Sequence, residues 1–187
     1  MRLSGDDPLG WKRETLDGGT MVTPRRRRRA PRELTAAGSE GEKMKIADIL
    51  DTKGSTVHSV LPWLTVSEVV ERLGKLGIGA VLVCEEHSTI QGIVSERDIV
   101  RALRKHGAAL LAMPVSEVMT RYVQTAGPDE TVAHAMARMT AGRYRHLPVV
   151  DHGRLVGMVS IGDLVKHRVR EMELETGVLR DALISRY

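Results

Sequence analysis

The sequence predicts an α/β protein of the α+β type, in which two β-α-β-β-α repeats pack sheet to sheet with pseudo-two-fold symmetry. Three observations carry this. GIVSERDIV at residues 92–100 reappears as GMVSIGDLV at 157–165, with glycine, valine, serine and aspartate at the same offsets. Pro62-Trp63-Leu64-Thr65-Val66 aligns with Pro128-Asp129-Glu130-Thr131-Val132. After each threonine runs an apolar stripe at helical spacing. Self-similarity of this kind marks a duplicated unit.

Each element follows from its residues. Val57–Val60 (VHSV) opens the first copy as a short extended segment, and YVQTA at 122–126 opens the second. Val66, Val69, Val70 and Leu73, then Val132, Ala135, Met136 and Met139, form the i, i+3, i+4, i+7 face of an amphipathic helix. Thr65 with Glu68 makes a capping box, whereas Thr131 with His134 keeps only the cap. Gly74 and Gly77 end the first helix and Gly142 the second. A strand follows in each copy (AVLVC at 80–84, LPVVD at 147–151), then a polar turn (EEHST; HGR) and a second strand (IQGIVS; LVGMVS). This spacing suits an antiparallel hairpin. The repeated aspartate then stands in the first turn of a further helix, ERDIVRALRK or IGDLVKHRVREME. One unit of about fifty residues with an apolar sheet face is marginal alone, so pairing the copies face to face completes a core.

The expected organisation is a basic, disordered tail at 1–43, repeat one at 44–112, repeat two at 113–173 and a C-terminal helical extension at 174–187. The basic pI belongs to the tail. Residues 1–43 hold 10 Lys+Arg against 7 Asp+Glu, and the rest is near neutral at 18 against 17. The tail contains the run Arg25–Arg29, which points to nucleic acid only weakly because charge runs are common and carry no motif. Met44 is a plausible alternative start. No apolar run is long enough for a membrane span or an export signal, so a cytoplasmic protein is expected. The single cysteine, Cys84, excludes an internal disulfide framework and reads as a small core residue. The seven histidines form no metal-binding spacing, and no nucleophile–base signature is present, so neither a metal site nor an enzyme is expected.

The doubled Ser-x-x-Asp admits two readings. Ser95 and Ser160 precede helices, where serine is a preferred N-cap, and an acid at the third helical position favours the helix dipole. The same geometry offers an anion site at the helix start and, in Asp98 and Asp163, an acceptor for a ribose diol. A phosphate donor beside a diol acceptor, twice over, suits nucleotides.

GIVSERDIV, GMVSIGDLV and RHLPVVD together resemble the paired cystathionine-beta-synthase (CBS) domain, or Bateman module, of the stand-alone bacterial type. The resemblance spans residues 44 to about 170. It implies a regulatory adenine-nucleotide ligand (AMP, ATP or NAD(H), with S-adenosylmethionine also known in the family) bound between the repeats, and no required cofactor. It implies as well a disc-shaped homodimer and an unknown protein partner. Asp98 and Asp163 match the family's ribose-binding acid, and Ser95 and Ser160 its neighbouring polar residue. The base pocket corresponds to Val57, His58, Ser59 and Val60 with Gly79 and Ala80, and to Val123, Gln124 and Thr125 with Arg145 and His146. Candidate phosphate partners are Ser95, Ser160, Arg97, Arg143, Arg145, His146 and Lys166. With no phenylalanine and few aromatics, an adenine would lie between aliphatic side chains. The first copy departs from the family pattern at AVLVCEE, so the two sites should differ. The alternatives are a structural or interaction module without ligand and, less favoured, nucleic-acid binding through the arginine run.

Overall fold

The computed structural model describes residues 11–16, 19–24, 44–85 and 90–184. In chain order these form β1 (Trp11–Leu16), β2 (Gly19–Pro24), α1 (Ile46–Lys53), β3 (Val57–Val60), α2 (Val66–Leu76), β4 (Ala80–Cys84), β5 (Ile90–Ser95) and α3 (Glu96–His106). Two 3-10 turns follow, Gly107–Ala112 and Val115–Glu117, and then α4 (Val132–Gly142), β6 (His146–Asp151), β7 (Arg154–Ser160) and α5 (Ile161–Ile184). The class is α+β, as the sequence predicts. The chain divides into two units, residues 1–25 with 56–124 and residues 26–55 with 125–187.

In the first unit the sheet order is β1-β2-β3-β4-β5. β3 and β4 run parallel with α2 between them, and β5 returns antiparallel to β4. Every residue of β4 is buried, which is why AVLVC is unbroken by polar letters. Thr65 caps α2 as expected: its Oγ1 accepts from the Glu68 N–H at 3.3 Å, and Glu68 Oε2 accepts from the Thr65 N–H at 2.8 Å. Gly77 closes the helix in the left-handed region at φ 62°. Val66, Val69 and Leu73 are buried, but Val70 is 42% exposed, so the buried stripe is narrower than the apolar pattern. Val60, Leu64, Val69, Leu73, Val81, Val83 and Val94 pack with Val115 and Met119 into one core.

The second unit repeats this with changes. β6 and β7 form the hairpin, but the segment expected as an extended strand at 122–126 reduces to one parallel bridge from Ala126 to Val149. Thr131 Oγ1 caps α4 through the His134 N–H at 3.3 Å without the reciprocal bond, as predicted. α4 ends at Gly142, as expected, but the glycine is not the left-handed cap. The left-handed residue is Arg143 at φ 54°, and Gly142 is still helical. A Cβ on Gly142 would lie 2.1 Å from the Tyr144 ring, so this glycine makes room for an aromatic instead of supplying the cap. α5 runs on to Ile184, so the expected helical extension from 174 continues the same helix.

The units do not follow the sequence repeats at their ends. Each copy's leading segment closes the start of the other copy's first helix. The Val132 N–H donates to the Met44 carbonyl and the Val66 N–H to the Met113 carbonyl, both at 2.9 Å. The Ile46 N–H reaches the Glu130 carbonyl at 2.9 Å, and the Val115 N–H reaches that of Leu64 at 2.7 Å. MKIADIL at 44–50 and MPVSEVM at 113–119 are thus a further repeated phrase, with apolar residues and one acid at matching offsets.

The same exchange explains the glycine that opens each copy of the longer phrase. A Cβ on Gly92 would lie 2.5 Å from Met119 Sδ, and one on Gly157 would lie 2.6 Å from Leu50 Cδ2. Met119 and Leu50 are equivalent residues of the two leading segments. The repeated glycine is a place where that segment seats against the hairpin.

The tail also departs from expectation. β1 and β2 pair antiparallel, and β2 adds to β3 with Thr20, Met21 and Val22 opposite Ser59, His58 and Val57. Asp17-Gly18 lies between the strands in sequence, a dipeptide favoured in two-residue hairpin connections, and GTMVTP is rich in strand formers. The arginine run at 25–29 lies outside the described residues.

Candidate functional site

The two Ser-x-x-Asp motifs adopt one geometry. Ser95 and Ser160 end β5 and β7. In the first copy Asp98 Oδ2 accepts from the Ser95 N–H at 2.9 Å and from the Ser95 hydroxyl at 2.6 Å. In the second, Asp163 Oδ2 accepts both from Ser160, each at 2.8 Å. The serine Oγ accepts in return from the aspartate N–H, at 3.4 Å and 3.2 Å respectively. Both motifs are therefore capping boxes with aspartate in the acid position. The single hydroxyl proton of each serine is committed to the carboxylate. In this arrangement the serines orient the acids and do not present a donor to an anion, which differs from the phosphate role expected for them.

Backbone pairing brings the predicted pocket residues to these helix starts. The Glu96 N–H donates to the Gly79 carbonyl at 3.1 Å, and the Ile161 N–H donates to that of Arg145 at 2.9 Å. Ala80 stands opposite Ser95 in the ladder, and His146 opposite Ser160. The start of the first hairpin strand and the start of the last helix thus meet in each copy, by the same bond.

The copies differ in what contacts the acid. In the second unit the Lys53 ammonium, from the last turn of α1, forms a short ion pair with Asp163 Oδ2. Burial alone would push the Asp163 carboxyl up, but the bonds from Lys53 and Ser160 outweigh it and hold the group below the usual carboxylate range. Lys53 was not among the residues expected here. The signal for it was positional: it stands nine residues after Met44, where the second leading segment, counted from Met113, has Tyr122. Tyr122 is 93% exposed.

The other candidates are placed less uniformly. Val57, Ser59 and Val60 are buried and His58 is half-buried in β3. Burial, and then the nearby Arg72 charge, lower the His58 pKa. Val123 is half-buried, and Gln124 and Thr125 are exposed and outside any strand. The Thr125 carbonyl accepts from Arg138 Nη2 at 3.1 Å, while Arg138 Nη1 binds both carboxylate oxygens of Glu130 at 3.1 and 2.9 Å. Arg97 is half-buried and Arg145 exposed; Arg143 is the helix cap, and Lys166 is exposed one turn beyond Asp163. Burial pushes the Cys84 thiol up to about 12, so it is no nucleophile at neutral pH. Among the described residues no cluster could hold a metal ion, and no helix is long and apolar enough to cross a membrane.

Two copies of a helix–hairpin–helix unit, each with its last helix starting at a Ser-x-x-Asp motif, define a tandem α+β module. The CBS domain family model matches at residues 55–105 and 115–170, and the chain belongs to that family. It is 42% identical to the CBS-domain containing protein ATU1752 from Agrobacterium tumefaciens, with a TM-score of 0.66 over 67% of this chain and 99% of that one. The mitochondrial CBS domain-containing protein CBSX3 of Arabidopsis thaliana is 33% identical over 70% of this chain and 67% of its own length. The CBS domain pair of protein MJ0100, solved in complex with 5′-methylthioadenosine and S-adenosyl-L-methionine, is 28% identical with a TM-score of 0.60. That match covers 69% of this chain and 98% of the pair.

Proposed function

We propose that the protein is a regulatory module that binds an adenine nucleotide (AMP, ATP or NAD(H)) and signals its presence to a partner protein, without catalysis of its own. The observation that carries this is the identical seating of Asp98 and Asp163 at a helix start, each beside the first residues of a hairpin strand. A relative of the same family holds two adenosine-containing ligands. Each acid accepts the hydroxyls of a ribose, and the base is assigned, between aliphatic walls, to Val57–Val60, Gly79 and Ala80 for the first copy and to Val123–Thr125, Arg145 and His146 for the second. Ser95 and Ser160 position the acids. Arg97, Arg143, Arg145, His146 and Lys166 are the basic side chains from which phosphate contacts are drawn.

The capping boxes themselves favour a second reading, a module whose acids only stabilise helix starts. Titration calorimetry with AMP on Asp98→Asn and Asp163→Asn separates the two. Loss of a charge-assisted bond to a diol weakens binding by about tenfold to a hundredfold. Unchanged affinity in both variants would leave the capping role alone.

Exposed apolar residues on α3 (Val100, Leu103) and α5 (Val165, Val169, Met172) support self-association as a homodimer. Light scattering giving a monomer mass at micromolar concentration would refute it.

A further inference from the structure

Each capping threonine is followed seven residues later by an arginine, Arg72 after Thr65 and Arg138 after Thr131. Both reach the segment assigned to the base in their own copy. Arg72 lies near His58 of β3, where its charge acts on the imidazole. Arg138 Nη2 donates to the Thr125 carbonyl at 3.1 Å. The two segments are held differently. β3 is paired on both sides, with β2 and with β4. Its counterpart has one bridge, at Ala126, whose N–H donates to the Pro148 carbonyl at 2.9 Å. The Thr125 carbonyl belongs to that same peptide group, so β6 holds its N–H and Arg138 its C=O. Arg138 is fixed in turn. Its Nη1 binds both carboxylate oxygens of Glu130, and His134 Nδ1 stands 3.0 Å from Glu130 Oε1. The Glu130 side chain is only 12% exposed, so it depends on these partners.

Resting on the reading of the second copy as an adenosine site, we infer that Arg138 is a positioning residue for that site. It fixes the Thr125 peptide before the ligand arrives, where a single bridge stands in place of a ladder. The ordering cost is then met by the fold instead of by binding. The planar guanidinium fork suits this task, because one nitrogen takes the carboxylate while the other takes the carbonyl. In the first copy the two ladders of β3 already supply the order, so Arg72 is not needed for it.

The test joins titration calorimetry with AMP on the full chain, well below its melting temperature, to amide exchange at Ala126 in the unliganded chain. The second-copy component of binding is the one abolished by Asp163→Asn. Arg138→Lys keeps a cation for Glu130 but offers one nitrogen in place of the fork. It should weaken that component by about tenfold, the cost of ordering one residue, and leave the component abolished by Asp98→Asn within about twofold. The Ala126 amide should exchange faster. Arg138→Met, which removes both bonds, should do no less. Arg72→Lys should leave the Asp98-dependent component within about twofold. Faster exchange with unchanged AMP affinity would make Arg138 a purely structural bond and overturn the inference. Unchanged exchange in both Arg138 variants overturns it at its first step, and an equal loss from Arg72→Lys overturns its link to the missing ladder. Faster exchange with no Asp163-dependent component in the wild type would remove the nucleotide reading of the second copy, and this inference with it.

Discussion

Replacing Gly92 with alanine should destabilise the protein more than the same change at Gly157, although the two glycines occupy the same letter of the repeat. At Gly157 the new methyl meets only the end of Leu50, with Cδ2 at 2.6 Å and Cδ1 at 2.9 Å. A leucine can turn its branch away. At Gly92 the methyl meets Met119 Sδ at 2.5 Å and also the Thr120 carbonyl oxygen at 2.9 Å. That oxygen is backbone, and it is held: the Ile93 N–H donates to it at 3.0 Å, and the Thr120 N–H donates back to Ile93 at 2.8 Å. Relief at Gly92 therefore requires parting a bridge as well as moving a side chain. Overpacking costs about 1–3 kcal/mol, with Gly157 at the low end and Gly92 at the high end. The lower unfolded-state entropy of alanine returns about 0.4–1 kcal/mol in both. The net expectation is a loss of about 2 kcal/mol for Gly92→Ala and under about 1 kcal/mol for Gly157→Ala. Urea denaturation followed by circular dichroism measures both. Leu50→Val should recover part of the Gly157→Ala loss, whereas Met119→Val should recover less at Gly92. Equal losses, or full rescue at Gly92 by Met119→Val, would refute the assignment of the difference to the Thr120 backbone.

Three further outcomes are expected. His58 has its pKa lowered by burial and by Arg72, so the unfolded chain binds the proton more readily; its contribution to stability is complete above the ordinary value of 6.5 and declines as pH falls below it. His58→Gln should flatten that part of the pH–stability curve, and an unchanged slope would exclude His58 as its source. Arg143→Gly should raise stability by about 1 kcal/mol, because an L side chain is strained at φ 54°; a drop in melting temperature would mean that the side chain's own contacts outweigh the strain. A chain beginning at Met44 loses β2 and leaves β3 as a sheet edge, so amides 57–60 should exchange faster and the melting temperature should fall by a few degrees; no change in either would restore the sequence-based expectation of a disordered tail.

The parts of the fold that were legible in the sequence are those in which local chemistry and tertiary structure agree. Thr65 and Thr131 cap their helices because a threonine before an apolar stripe satisfies a free N–H wherever the helix later packs. AVLVC is a strand because five consecutive small or branched apolar residues suit burial on both faces. The misread positions are those where a neighbour distant in sequence decides. Gly142 looks like a helix cap until Tyr144 folds over it, and the left-handed turn passes to Arg143, against local preference. Asp17-Gly18 carried a hairpin signal that its polar and basic surroundings obscured. Lys53 is one lysine among many until α1 brings it to an acid 110 residues away.

The leading segments show why duplication alone did not reveal the site. MKIADIL and MPVSEVM share one methionine, one acid position and three apolar positions, too few identities to stand out beside GIVSERDIV. Yet each supplies the carbonyl that satisfies the first helix of the other copy, and each supplies the side chain that requires a glycine in the hairpin. Neither copy is complete with its own residues alone. α1 is built into the unit of the second copy, and only Gly54, Ser55 and Thr56 separate it from β3 of the first. The residue that ends α1 is Lys53, in contact with the acid of the second copy. The helix that carries Lys53 to the acid of the second copy is thus tethered by three residues to the first strand of the first copy, so the chain path joins the two units at the point where the leading segments cross over.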